Sequence, residues 1–263
     1  MMLKSFAACL ILALNLGVGS AAVAQCVGNC GSAGPDGDIT SPPEFGPNYS
    51  YITTLNGLSG AGQIAGVGGT NGSEFLTTSF SANSGDALNF YFNYITSDGA
   101  GFADYAFAQL LTASLNPVAF LFTARTTPAG NTSPGFGLPS NSATLTPAST
   151  PITANATNWS FLGSSSGNCF SAGCGNTGWI NSNYLLTESG DYVLRLGVSN
   201  FQDSLFQSGL AFAGVTVAGV EIPTPVTPIP EPGTWAMMLL GFGLVGGAMR
   251  SAKRRQKLSV SYA

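Results

Sequence analysis

The side chains here with most chemistry to offer are carboxylates. Asp98 follows Asn93-Tyr94-Ile95-Thr96-Ser97, Asp104 stands in Phe102-Ala103-Asp104-Tyr105, and Asp203 closes Asn200-Phe201-Gln202-Asp203. Each falls where an apolar run gives way to turn residues. Oxygens at such positions, with glycine-rich carbonyls around them, suit a hard cation, so Asp98, Asp104 and Asp203 form a candidate calcium site. The competing reading is that they only cap turns. No other cofactor is indicated. The sequence contains no histidine, which excludes Ser-His-Asp and Cys-His catalysis and imidazole metal centres. Two carboxylates alone can hydrolyse a glycosidic bond. However, neither a clustered E-x-D-x-x-E pair nor the Asp-Thr-Gly or Asp-Ser-Gly of an aspartic protease occurs, and the expectation is a protein that is not an enzyme. Trp159, Trp179 and Tyr184 have rings that can stack on sugars, but core packing is their expected role.

Cys26, Cys30, Cys169 and Cys174 allow three pairings. Cys26–Cys30 and Cys169–Cys174 each close a short glycine-containing loop and are the expected pairs. C-x3-C with C-x4-C is a poor zinc pattern, and disulfides are the default in an exported chain.

The elements that position these residues must be strands. Leu88, Phe90, Phe92 and Tyr94 alternate with Asn89, Tyr91 and Asn93, and the same period of two runs through Val118–Ala124 and Tyr192–Val198. Tyr49–Leu55, Phe75–Phe80, Tyr105–Leu111, Trp159–Leu162, Trp179–Leu186 and Leu210–Val217 are further strand candidates, parted by Gly, Asn, Asp and Ser. Between the two ends, no long segment carries a helical period. The expected fold is all-β, a β-sandwich resembling a jelly roll, over residues 48–222. Residues 126–158, with Pro128, Pro134, Pro139, Pro147 and Pro151, read as a long surface loop, and 25–47 as a loosely ordered Gly/Pro-rich leader.

Composition agrees with an exported body. Of 263 residues, 44% are hydrophobic and 8% charged, against roughly a quarter charged in an ordinary soluble domain. Lys4 stands near the start, and Arg250, Lys253, Arg254, Arg255 and Lys257 cluster near the end. Only Arg125 and Arg195 are basic between them, among eleven of the twelve acids when Glu231 is set apart. A formal charge of −4 argues against nucleic acid as a partner.

Both ends read as targeting. Lys4, the apolar run through Leu14, and Ala22-Val23-Ala24 make a secretory signal peptide over 1–24, cleaved between Ala24 and Gln25. Residues 233–249 carry no charge and are expected to form one C-terminal transmembrane helix, with the basic tail 250–257 and residues 258–263 on the cytoplasmic side. Before it, residues 223–229 are a Pro-rich stalk.

Pro230-Glu231-Pro232, then Trp235-Ala236-Met237-Met238, a glycine-rich span and Arg254-Arg255 resemble the PEP-CTERM sorting signal, over 230–257. That resemblance implies an exosortase that cuts at Pro-Glu-Pro, a Gram-negative host, export by the secretion machinery, transient residence in the inner membrane, and a mature protein on the cell surface or in the extracellular matrix. The body is similar to the choice-of-anchor class of bacterial surface domains. The matching residues are Asn93–Gly99, Phe102–Ala106, Gly163–Gly167 leading to Gly178-Trp179-Ile180, Asn200–Asp203 and Ser208–Phe212. Ala213 stands where that class usually has an acid. The expected function is structural or adhesive work within exopolysaccharide or biofilm. The alternatives are a calcium-dependent carbohydrate-binding module and a secreted glycoside hydrolase.

Overall fold

The computed structural model describes residues 24–127 and 130–224, together with Phe242. The signal peptide through Val23, the stalk from Pro225, the PEP-CTERM segment and the expected transmembrane span lie otherwise outside the described residues. Among those described, no helix is long and apolar enough to cross a membrane. The chain divides into two units at Thr224/Pro225, and the first contains every strand among the described residues.

Its strands are β1 (Gln25–Val27), β2 (Asn29–Ala33), β3 (Tyr49–Thr53), β4 (Leu58–Ser59), β5 (Asn71–Leu76) and β6 (Phe80–Ala82). Then come β7 (Ala87–Thr96), β8 (Tyr105–Thr112), β9 (Pro117–Ala124), β10 (Thr144–Thr146) and β11 (Thr153–Ala154). A 3-10 helix (Ser160–Ser165) precedes β12 (Gly175–Asn176), β13 (Ile180–Leu185), β14 (Gly190–Ser199), β15 (Ser208–Val217) and β16 (Val220–Glu221). One sheet is built on β5-β14-β8-β9 and the other on β13-β7-β15-β3. Successive members of that set change sheets except at the β8–β9 hairpin, which is the winding of a jelly roll.

Register explains the core. Phe75 lies opposite Leu196, Leu196 opposite Ala108, and Ala108 opposite Phe122, so one apolar row crosses the first sheet. In the second, Leu210 lies between Ile52 and Tyr94, and Phe212 opposite Phe92. The rows meet face to face: the rings of Phe92 and Phe122 stack at 3.7 Å, and those of Phe75 and Phe212 lie 5.4 Å apart. Strand parity sends Ala211 and Ala213 to the opposite face, where they join a second apolar cluster of Ile39, Tyr49, Tyr51, Ile95, Trp159 and Leu162.

Two segments differ from their sequence reading. The leader expected to be loose supplies β1, paired with β5, and β2, paired with β3, and it buries Ile39 completely. Its glycines hide strands too short for a periodic signal, whose partners lie far along the chain. Trp159–Leu162, expected as a strand, enters the 3-10 helix. Trp159 is fully buried and donates its indole N–H to the Tyr49 hydroxyl at 2.9 Å. The Asp36 carboxylate caps the Ser160 N–H at 2.9 Å, and Gly163 turns the chain at φ 61°. The long 126–158 segment carries only β10 and β11.

Candidate functional site

At one end of the sandwich, the loops after β7, β9 and β14 converge on the start of β8. Asp104 ties them together. Its Oδ1 accepts the Phe201 N–H at 2.9 Å, and its Oδ2 accepts the Ser208 hydroxyl at 2.6 Å. Tyr94 donates its hydroxyl to the Asp104 carbonyl at 2.8 Å. Full burial pushes the Asp104 carboxyl well above the usual carboxylate range, against the pull of the Ser208 bond.

Asp98 is also buried. Its Oδ1 accepts the Gly99 N–H at 2.8 Å, while Oδ2 has no partner. Burial pushes this carboxyl up to about 7; the Gly99 bond opposes the rise, and the charge on Asp203 adds to it. Asp203 accepts the Leu205 N–H at 2.9 Å in a turn of its own, and Thr70 hydrogen-bonds to its carbonyl. The fold thus brings the three candidate calcium ligands close enough to influence one another. Among the described residues, though, no three acidic, cysteine or histidine side chains form a cluster fit for a metal ion. Asp98 and Asp203 bond within their own turns, whereas Asp104 bonds across the fold.

Both expected cysteine pairs are bonded, Cys26 to Cys30 and Cys169 to Cys174. The second holds a loop against the Asp98 turn, where the Phe170 N–H meets the Ser97 carbonyl at 2.9 Å and the Ala100 N–H meets that of Ala172 at 2.9 Å. Gly99 allows this approach, since a Cβ there would lie 2.6 Å from the Ser171 carbonyl oxygen. Phe102, Phe170 and Phe206 pack ring to ring on the same loops, at 5.5 and 5.2 Å. Trp159 and Trp179 pack around Tyr49, with the Trp179 indole donating to the Thr40 carbonyl.

The pattern of acids did not reveal Arg125. It lies immediately after β9 beside a pocket of about 480 Å³ lined by Ala100, Gly101, Ala103, Thr126, Phe136 and Phe201, among others. Its guanidinium carbon stands 4.3 Å from the Phe201 ring centre and 5.1 Å from that of Tyr105. Only Nη1 finds an acceptor, the Phe136 carbonyl at 3.4 Å; Nε and Nη2 have none. Gly135 lets its segment lie close against the end of β9, because a Cβ there would meet the Arg125 backbone nitrogen at 2.7 Å. The other basic residue of the body, Arg195, is paired in contrast, donating from Nε to Glu74 at 2.8 Å. The sequence marks Arg125 only as one of two basic residues in an acidic body.

A closed all-β domain followed by a Pro-rich segment, an uncharged span and a basic cluster defines an exported protein with a C-terminal sorting signal. The PEP-CTERM protein-sorting motif matches residues 228–255, so the chain carries that signal. That signal implies exosortase processing and a place at the cell surface or outside the cell. Comparison with curated proteins gives no match. A solved arabinose-bound α-L-arabinofuranosidase is similar at 11% identity and a TM-score of 0.32, over 74% of this chain and 23% of that one. So slight a likeness carries no argument about fold or activity.

Proposed function

We propose that this chain is a non-catalytic surface or matrix protein of a Gram-negative bacterium. It passes through the inner membrane as a precursor, and its jelly-roll domain then does structural or adhesive work among extracellular polysaccharide. The observation that carries the reading is the sorting motif at 228–255 directly downstream of a domain that closes by Thr224. The composition supports it. A body with few charges and local disulfides is suited to an oxidising exterior. Deleting the gene in its native host and fractionating the culture tests it. Wild-type protein is expected in the surface or matrix fraction, with weaker cell-to-cell cohesion in the deletion strain. Recovery mainly from the cytoplasm, or cohesion unchanged by the deletion, would count against it.

A further inference from the structure

The pocket beside Arg125 holds the least satisfied charge among the described residues. Arg125 is 8% exposed, yet Nε and Nη2 have no hydrogen-bond partner. A buried cation ordinarily finds a carboxylate or a set of acceptors. The ion pair seen among the described residues joins Arg195 to Glu74, and no carboxylate bridges to Arg125. The two orphaned nitrogens form one edge of the guanidinium fork, the edge that takes both oxygens of a planar carboxylate in parallel bonds. Phe201 and Tyr105 hold the fork in place through their ring faces.

The surrounding walls describe the rest of the ligand. Ala100, Gly101 and Ala103 leave a smooth, small-residue side, while Phe136 is 72% exposed. Thr126, which is buried, and Gln202 add polar groups to the lining. An apolar wall, an exposed ring and scattered polar groups suit the flat C–H face and the hydroxyls of a sugar. The pocket's size is within the range for small ligands. Nε and Nη2 are shut from bulk water, so a ligand reaches them only by moving Phe136, whose carbonyl meets Nη1 at 3.4 Å while the neighbouring Gly135 N–H stays bonded to the Thr123 carbonyl at 3.0 Å.

We infer that this pocket binds a sugar acid, its carboxylate on the Nε–Nη2 edge of Arg125 and its ring against Phe136. The inference deepens the adhesive reading by naming a ligand class, an acidic polysaccharide. It is separable from sorting, because it concerns binding by purified protein.

The test is equilibrium titration of the purified full-length chain with oligogalacturonate, against the neutral oligogalactoside of equal length and a short peptide with a free C-terminal carboxylate. The expected result is saturable binding of the uronate at least about tenfold tighter than of either control, the margin that charge-assisted hydrogen bonds imply. Arg125→Gln should lose that margin. Phe136→Ala, at an exposed position where folding is undisturbed, should weaken uronate binding without moving the melting temperature. Absence of uronate binding by the wild-type chain, equal binding of the neutral sugar, tighter binding of the peptide, or unchanged affinity in both variants would each overturn the inference. A protein that binds uronate but fails to reach the surface would leave the pocket standing and remove the proposed role; a surface protein without binding would do the reverse.

Discussion

Asp98 and Asp104 are carboxyls that the folded state prefers to keep protonated. Burial raises the Asp98 pKa from 3.8 to about 7 and that of Asp104 in the same direction. A folded-state pKa above the unfolded one means that the native protein holds more protons between the two values. Stability therefore falls as pH rises through that window and stays at its lower level above it. Urea denaturation is expected to give a higher unfolding free energy at pH 5 than at pH 8. Asp98→Asn should shrink that difference, leaving the Asp104 share. A pH 8 stability equal to that at pH 5 would contradict the burial argument. Asp104→Ala is a harsher change, because it orphans the Phe201 N–H and the Ser208 hydroxyl at a cost of about 1–3 kcal/mol each; Asp104→Asn should be milder. Denaturant midpoints for the two variants check this ordering. These acids were visible in the sequence because each borders an apolar run. Which loops they tie together was not, since it depends on partners such as Ser208, 104 positions from Asp104. Arg125 was hidden for the opposite reason: an unpaired charge is a property of what the fold leaves out.

At the level of elements, alternation identified strands well wherever one face is buried. Leu88, Phe90, Phe92 and Tyr94 are all buried, as their period of two requires. Trp159–Leu162 misled because its apolar residues fit a strand, while the Ser and Gly that follow close a 3-10 turn. The leader misled because β1 and β2 draw their order from β5 and β3, contacts that no local pattern encodes. Its disulfide gains meaning from that arrangement. Cys26 is on β1 in one sheet and Cys30 on β2 in the other, so the bond pins the edges of the two sheets together. A loop this short restricts the unfolded chain by only about 2 kcal/mol on the chain-entropy account. The Cys26→Ser/Cys30→Ser variant should therefore remain folded with a loss of about that size or less. Hydrogen exchange should accelerate over residues 25–33 and stay unchanged in β7, β14 and β15. Global unfolding of the variant would show that the leader carries the fold rather than seals its edge.

For the whole molecule, the sequence is most informative where the described fold stops. Residues 233–249 are uncharged but rich in glycine, and a hydrocarbon core of about 30 Å asks for about 20 predominantly apolar residues in a helix. Such a span is marginal as a permanent anchor. If that span enters the membrane, Arg250, Lys253, Arg254 and Arg255 directly behind it are the flank expected to stop translocation and to stay on the cytoplasmic side. Pro223, Pro225, Pro228, Pro230 and Pro232 are residues that disfavour both helix and sheet, and the expectation from sequence is a Pro-Glu-Pro motif offered to a protease in an extended form. A marginal span, a basic flank and a Pro-Glu-Pro motif ahead of it suit a segment held briefly and then removed. In a host with an exosortase, the mature protein is expected to end near Glu231, with an intact mass lacking the span. In a host without one, the chain should remain in the membrane fraction and lack only its signal peptide. Changing Pro230 and Pro232 together to Ala should reproduce that retention in the native host without altering the melting temperature of the sandwich. Recovery of the Leu258–Ala263 peptide from surface protein in the native host would sink this account, because it lies beyond the cut and on the far side of the stop.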